Sequence, residues 1–243
     1  MIAADTLAYT NRLAGAHPAE KCLFGALMLF AALFAGPVPA ATVFCFMSGL
    51  IIFKAGIPAA TYGKLLLTPA AFILIGAGFA MIDIFPGPHH SLPASASRLH
   101  LGAGIALRGL GSVACLLFVC LTTPFIDIIG LMRRLRFPGL LLELAEMTYR
   151  CIFIIGGDAD TITRAQSARL GYASLRAGFR SAGMLAAALL VRSMEDSRRM
   201  QQAYESRCGS GPVSIARQHR PVSIPVIAGI LLAVLVIAAT GLP

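Results

Sequence analysis

Residues 101–121, LGAGIALRGLGSVACLLFVCL, decide the fold class of this chain. This stretch of 21 residues holds a single charged side chain, Arg108, and is closed by Thr122, Thr123 and Pro124. A helix of about 20 mostly apolar residues spans the hydrocarbon core of a bilayer, which is about 30 Å thick. The stretch therefore predicts a membrane-spanning helix.

Four other apolar runs share this character, and the composition of the whole chain agrees with them. The runs are residues 22–35, 40–53, 65–85 and 224–241. The chain is 57% hydrophobic and 13% charged, whereas an ordinary soluble domain carries roughly 25% charged residues. We therefore expect an all-α fold, a polytopic helix bundle of about five spans in the lipid bilayer.

Basic residues concentrate in one segment of the chain. Of the 20 Lys and Arg residues, fourteen lie between Arg133 and Arg220 beside seven acidic residues, so this segment holds +7 of the formal net charge of +9. Lys and Arg accumulate on the cytoplasmic side of membrane proteins. We expect a multi-pass protein of the cell (inner) membrane whose basic segment and N-terminus are cytoplasmic. The positive charges are not interleaved with aromatic residues, so nucleic acid is not an expected partner.

The apolar runs and the basic segment divide the chain into three predicted parts. Residues 1–123 hold an N-terminal cytoplasmic segment and four spans, residues 124–220 a cytoplasmic domain with amphipathic helices, and residues 221–243 a C-terminal span. Residues 1–17 lack the basic start and cleavage site of a signal peptide, so we expect them to remain on the mature protein.

The cytoplasmic part is predicted to be helical. Residues 139–155 carry charged residues at spacings of three and four, which favours an amphipathic helix at the membrane surface over a sixth span. If this stretch did cross the membrane, the chain would have six spans. Its C-terminus would then lie on the side of the membrane opposite to that expected with five. Two long amphipathic helices are expected at residues 158–180 and 184–207, with a break at 181–183.

The sequence contains no motif for catalysis. It has no GxxxxGK[ST] phosphate-binding loop, no GxSxG elbow and no HExxH pair. Its six cysteines form no CxxC pair, so neither zinc nor redox chemistry is indicated. We expect no enzyme activity, no catalytic residue and no cofactor.

Polar residues in or near the spans allow two interpretations. His89, His90 and His100 fall in a predicted outer loop, and imidazole binds late transition metals. Asp83 and Arg108 are charged residues within the third and fourth runs, and such residues pair with each other or line a pathway. A solvated loop and a structural pair are the preferred interpretations, and a metal pathway is the alternative.

Two arginines of the amphipathic helices, each beside small residues, are candidate docking residues. One is Arg169, between Ala168 and Leu170, and the other is Arg207, between Ser206 and Cys208. A solvated arginine near a helix C-terminus gains only about 0.3–1 kcal/mol. An arginine beside small residues can instead enter a groove of a partner and form a bidentate pair with a carboxylate. The repetition of this local pattern favours docking.

Six segments in this order resemble a known family. They are residues 10–13 (TNRL), 17–21 (HPAEK), 122–125 (TTPF), 133–138 (RRLRFP), 149–153 (YRCIF) and 165–172 (AQSARLGY). The chain resembles the transmembrane T component of energy-coupling factor (ECF) transporters, in the cobalt branch called CbiQ.

The resemblance implies a scaffold in an ABC-type importer for cobalt, and thus a role in cobalamin biosynthesis. Such a scaffold joins two cytoplasmic ATP-binding cassette ATPase subunits to a cobalt-binding membrane subunit, which holds the metal. Its coupling helices dock through two Ala-Arg-Gly-like motifs, which here correspond to residues 168–170 and 206–208. In both, the glycine comes one place later than in the family pattern. A nickel importer and a self-contained metal permease are the alternatives.

Overall fold

The computed structural model describes residues 2–13, 15–34, 36–81 and 96–206, which contain helices and no strand. One turn of π-helix, Leu50–Lys54, continues the third helix. The eight α-helices of these residues are α1 (Ile2–Thr10), α2 (Pro18–Phe34), α3 (Pro37–Gly49), α4 (Ala59–Met81), α5 (Ala96–Thr122), α6 (Phe125–Arg134), α7 (Gly139–Ala168) and α8 (Leu175–Ser206).

Three stretches of the described helices are long and apolar enough to cross a membrane. They are Pro37–Lys54, Ala59–Ala80 and Gly102–Thr122, which match the second, third and fourth predicted runs. The first predicted run lies in α2, which has 17 residues, and the run at 224–241 lies outside the described residues. The all-α membrane helix bundle is confirmed, and the total of five spans stays a prediction.

The described chain forms two compact units that divide between Ile128 and Ile129. In the first unit, α5 packs against α1, α2, α3 and α4. Met28, Met47 and Leu121 contribute fully buried side chains to its core. The helix that opened the sequence analysis is thus the central element of the first unit. The predicted domain boundaries at residues 123 and 220 stay predictions.

Small residues allow α5 to approach its neighbours, as expected for membrane helices. A Cβ atom on Gly111 would lie 2.9 Å from the carbonyl oxygen of Ala40 on α3, and one on Gly109 would lie 2.9 Å from the Ile73 side chain on α4. Among the described residues, a Cβ atom on Gly76 or Gly78 of α4 would have no neighbour within 4 Å, so close packing at these two glycines stays a prediction.

The predicted helix break in the second unit is wrong. Residues 181–183 are helical and lie inside α8, and residues 139–168 form one continuous helix rather than two. A glycine inside a helix costs only about 1 kcal/mol relative to alanine, so Gly183 does not end α8. The chain instead turns at residues 169–174, which makes Arg169 the C-cap residue of α7.

Candidate functional site

Helices α7 and α8 of the second unit form an antiparallel hairpin. Near the turn, the Gln166 side chain reaches the backbone of Ser181, and further along Asp158 forms a 3.1 Å ion pair with Arg192. At the far end, the start of α7 and the end of α8 enclose a cavity of about 280 Å³. One predicted docking motif thus lies at each end of the hairpin.

A Schellman motif, a left-handed C-terminal cap, closes α7 at the first predicted motif. The Gly171 N–H donates to the Gln166 carbonyl oxygen at 2.8 Å, and the Leu170 N–H donates to that of Ser167 at 3.0 Å. The motif places its left-handed residue directly after the C-cap, and glycine is usual there. Here that residue is Leu170, with a φ of 58°. This conformation costs a non-glycine residue on the order of 1–3 kcal/mol.

Because the glycine of this motif comes one place later than in the family pattern, a different residue takes the left-handed conformation. A family-type Ala-Arg-Gly sequence would place glycine at the left-handed position that Leu170 occupies here. Gly171 serves a different purpose, because a Cβ atom on it would lie 2.8 Å from both the Gln166 carbonyl oxygen and the Ser181 Oγ. The close approach of α8 to the turn requires glycine at this position.

Three side chains brace the turn against α8. Ser181 Oγ donates to the Gly171 carbonyl oxygen at 2.8 Å, and Gln166 Nε2 donates to the Ser181 carbonyl oxygen at 3.1 Å. The Tyr172 hydroxyl donates to Gln166 Oε1 at 2.7 Å. Ser181 is 3% exposed, on a helix that is otherwise largely accessible. These hydrogen bonds fix the turn relative to both helices.

The bracing residues were missed by the sequence analysis, although one local signal marks their position. Ser174 precedes α8, and its Oγ accepts a hydrogen bond from the Ala177 N–H at 3.2 Å. A serine followed three residues later by this backbone donor is an ordinary helix N-cap. Reading Ser174 as an N-cap would have moved the predicted break from 181–183 to the observed turn.

Arg169 is presented to solvent from this braced turn. Within the described part of the chain, its side chain forms no hydrogen bond or ion pair, and it is exposed. Arg164, Arg176 and Arg180 are exposed nearby, and no acidic residue occurs from 161 to 194. The end of the hairpin thus carries a concentrated positive charge around Arg169.

The second predicted motif is described only at its first residue. Ser206 ends α8, and Arg207 and Cys208 lie outside the described residues. Since α8 has 32 residues, a rise of 1.5 Å per residue separates its two ends by about 48 Å. The structure therefore places Ala168, Arg169 and Leu170 together, at the opposite end of α8 from Ser206.

Most of the residues considered for a metal pathway lie where the structure does not describe the chain, so that interpretation stays untested. Asp83, His89 and His90 lie outside the described residues, and His100 is helical in α5. Arg108 is exposed on the same helix. Among the described side chains, no group of three or more His, Cys, Asp and Glu is placed to hold a metal ion.

Several segments that carry the family resemblance meet in the first unit, a clustering that the sequence analysis did not predict. Asn11 Nδ2 donates to the Leu121 carbonyl oxygen at 3.0 Å, and Lys21 Nζ donates to that of Thr122 at 2.9 Å. The backbone N–H of Arg12 donates to the Ala55 carbonyl oxygen at 3.2 Å. The N-terminal segment is thus tied to the end of α5 and to the residue after the π-helical turn.

The fold and the hairpin define an all-α membrane protein with a basic amphipathic helical extension. The family model described as CbiQ, cobalt transport protein, matches residues 10–220. The chain belongs to this family of cobalt transport proteins, and it is a membrane component of cobalt transport.

Curated relatives agree over most of the chain. The cobalt transport protein CbiQ of Rhodobacter capsulatus is 32% identical over 229 residues, covering 94% of this chain and 92% of the relative. The CbiQ protein of Salmonella typhimurium is 30% identical over 202 residues, covering 79% and 90%. A protein of Methanocorpusculum labreanum named as a fused cobalt transport protein, CbiMQ, is 29% identical over 191 residues, covering 73% of this chain and 32% of that protein.

Proposed function

We propose that this chain is the transmembrane T component of an ECF-type importer for cobalt. In this role it couples ATP hydrolysis by two separate ATP-binding cassette subunits to a membrane subunit that binds the metal, and it hydrolyses nothing itself. Arg169 and Arg207 are the central docking residues, each with its two neighbours (Ala168, Leu170, Ser206 and Cys208).

The observation that carries the proposal is the presentation of Arg169. An exposed arginine with no partner in the described chain, held on a turn braced by Gln166 and Ser181, is pre-organised for a carboxylate on another protein. The backbone of the turn needs no further ordering on binding, which favours affinity, and only the arginine side chain has to be ordered by its partner. A bidentate guanidinium–carboxylate pair would supply both strength and direction.

The length of α8 supports two ATPase subunits rather than one. The two candidate motifs stand at opposite ends of a helix about 48 Å long. A protein interface of ordinary size buries about 800 Å² on each partner, which as a round patch is about 32 Å across and so narrower than this separation. We therefore assign one motif to each ATPase, so that movement of the two subunits is transmitted through the hairpin as a rigid body.

The proposed metal-binding partner is a separate membrane subunit. The relative named as a fused CbiMQ protein is consistent with a membrane partner that works beside a protein like this one. Cobalt is the proposed substrate because the relatives are named for it, and nickel is the alternative to be compared in the same assay.

The basic segment and the N-terminus are proposed to be cytoplasmic. The charge asymmetry supports this topology through the positive-inside tendency. Reporter fusions after Ser206 and before α1 should both report the cytoplasm. A reporter active on the outer side at Ser206 would contradict the docking proposal directly.

Affinity purification from native membranes, followed by uptake of radioactive cobalt, tests the function. We expect two ATPase copies and a second membrane subunit to co-purify with the wild-type chain. The double variant Arg169→Ala, Arg207→Ala should lose the ATPases and the uptake. The double variant Arg176→Ala, Arg180→Ala is the matched control, because it removes the same charge from exposed positions on α8.

Two results would reject the proposal. One is full assembly and uptake in the Arg169→Ala, Arg207→Ala variant. The other is cobalt uptake by this chain expressed alone, which would favour a self-contained permease. Loss of assembly in both the test and the control variants would show that the total positive charge of the hairpin, and not Arg169 or Arg207 in particular, recruits the ATPases.

A further inference from the structure

The cavity between the start of α7 and the end of α8 has walls of mixed chemistry. Its volume is about 280 Å³, and apolar side chains from both helices form most of its lining. Three charged side chains of α7, Glu143, Glu146 and Arg150, line it as well. A few charged groups placed among apolar walls are typical of a ligand site. Neither predicted docking motif contributes to this lining, so the cavity is a separate feature of the hairpin.

Glu146 is a buried carboxylate that lacks hydrogen-bond donors. The residue is 6% exposed, and within the described part of the chain its Oε2 accepts no hydrogen bond. Its contact with Arg133 of α6 measures 3.5 Å, whereas a charge-assisted hydrogen bond measures about 2.7–2.9 Å. Burial of a charge without good hydrogen bonds is costly. A ligand that brings a positively charged donor to Glu146 would therefore be stabilised there.

Arg150 is a cation at the same cavity, and it has no acidic partner in the described chain. Glu146 stands four residues earlier on α7, a spacing at which opposite charges pair on a helix. The Glu146 carboxylate contacts Arg133 instead, and Arg150 is exposed and forms no hydrogen bond or ion pair among the described residues. Glu143 is also exposed and without such a contact there, about 10 Å from Arg150 along the helix axis. The cavity thus presents charges of both signs that do not neutralise each other.

A ligand with an ammonium group and a phosphate group complements these charges. A primary ammonium group has three N–H donors for the carboxylates of Glu143 and Glu146, and a phosphate accepts two hydrogen bonds from the guanidinium of Arg150. Both free phosphoethanolamine and the headgroup of an ethanolamine phospholipid have this chemistry.

The rim of the cavity favours the phospholipid. Leu140 and Leu144, one helical turn apart, line the cavity and are 76% and 63% exposed. Free phosphoethanolamine would leave these leucines in water, whereas the acyl chains of a lipid would cover them. In addition, α7 follows a candidate membrane span, Gly102–Thr122, with only the short helix α6 between them.

We propose that this cavity binds the headgroup of phosphatidylethanolamine. The ammonium group lies at Glu143 and Glu146, the phosphate lies at Arg150, and the acyl chains cover Leu140 and Leu144. Phosphatidylcholine fits less well, because its quaternary ammonium group has no N–H to donate. Phosphatidylglycerol has no ammonium group and leaves both carboxylates without a partner. The site therefore selects among phospholipids by their headgroup.

Native mass spectrometry of the full chain, purified in detergent and freed of bound lipid, tests the proposal. The dioleoyl forms of phosphatidylethanolamine, phosphatidylcholine and phosphatidylglycerol are titrated separately, so that only the headgroup differs. We expect the ethanolamine lipid to bind at least about tenfold more tightly than the choline lipid, as expected for a hydrogen bond between charged groups. Comparison with variants separates this site from lipid that binds elsewhere on the chain.

Two variants assign the preference to the cavity. Glu146→Gln keeps the size of the side chain but removes its charge, and it should abolish the preference for the ethanolamine lipid. Arg150→Gln should weaken the ethanolamine and choline lipids alike, because both carry the phosphate. Glu195→Gln is the matched control, since Glu195 is an exposed glutamate of α8 outside the lining of the cavity. It should bind as wild type does.

Several results would overturn the inference. They are equal affinity of the wild-type chain for the ethanolamine and choline lipids, a preference for phosphatidylglycerol, and an unchanged preference in Glu146→Gln. Because Glu146→Gln also alters the contact with Arg133, Glu143→Gln at an exposed position is the second variant, and it should lower the preference too. An unchanged preference in Glu143→Gln would contradict the proposed position of the ammonium group. Displacement of the lipid by free phosphoethanolamine at equal concentration would assign the cavity to a soluble ligand instead.

Discussion

The Lys21 side chain is 5% exposed, and its Nζ donates a 2.9 Å hydrogen bond to the carbonyl oxygen of Thr122, the last residue of α5. The last carbonyl groups of a helix have no partner within the helix. A buried ammonium group near them is stabilised by the negative end of the helix dipole. Asn11 donates to the preceding carbonyl, that of Leu121. Two residues of the N-terminal segment thus cap the central helix of the first unit.

Replacing Lys21 by methionine should destabilise the first unit. Methionine keeps the length and apolar stem of lysine but leaves the Thr122 carbonyl without this donor, a loss of about 1–3 kcal/mol. Thermal unfolding in detergent should show a lower midpoint. Lys54→Met is the matched control, since Lys54 is exposed at the end of the π-helical turn and should change stability by less than about 0.5 kcal/mol. Equal midpoints for the two variants would show that the cap is not a stabilising contact.

Close helix packing in the first unit depends on particular glycines and not on glycine content. A Cβ atom on Gly111 would meet the backbone of α3 at 2.9 Å, whereas one on Gly76 would meet no described residue within 4 Å. Gly111→Ala should therefore cost about 1–3 kcal/mol through overpacking. Gly76→Ala should be neutral or stabilising, because alanine is the better helix former. The midpoints of thermal unfolding of both variants, compared with wild type, check this prediction. A lower midpoint in both variants would contradict it.

The sequence predicted the second, third and fourth membrane-spanning helices because bilayer thickness fixes their length. Residues 101–121 were expected to span, and α5 runs from Ala96 to Thr122. The closing signal at Thr122, Thr123 and Pro124 was correct, since α6 begins at Phe125. Proline disfavours helical conformation at the residue before it, so the local sequence determines this helix boundary.

The sequence did not predict the turn of the second unit, because its decisive residue opposes its own preference. A left-handed conformation at Leu170 is not expected from any local propensity, and Gly183 was the more obvious break. Besides the local N-cap at Ser174, the hydrogen bond from Ser181 to Gly171, ten residues earlier, explains why the chain turns before α8. In the same way, the burial of Lys21 against Thr122 depends on packing that composition does not record.

Ser181 should be a positioning residue for Arg169. Ser181→Ala removes the hydroxyl that donates to the Gly171 carbonyl, so the hairpin should lose about 1–2 kcal/mol of stability. ATPase binding should weaken as the turn becomes less ordered, although Ser181 itself is buried. Ser193→Ala is the matched control on the same helix, because its hydroxyl bonds only to the Leu190 carbonyl one turn earlier. Equal ATPase binding by Ser181→Ala and Ser193→Ala, measured by co-purification, would contradict the positioning role of Ser181.

Arg169→Lys separates charge from geometry at the docking site. Lysine keeps the positive charge but lacks the planar fork that pairs with a carboxylate through two hydrogen bonds. Binding of the ATPases should therefore fall by about tenfold, which corresponds to about 1.4 kcal/mol. Arg176→Lys, at an exposed position that is not at the turn, should bind as wild type does.

Titrations at low and high salt extend the test, since the surrounding arginines contribute a screened attraction while a desolvated pair is screened much less. The ratio of affinities between wild type and Arg169→Lys should stay nearly constant as salt rises. A ratio that disappears at high salt would mean that Arg169 acts only as one more charge of a basic surface.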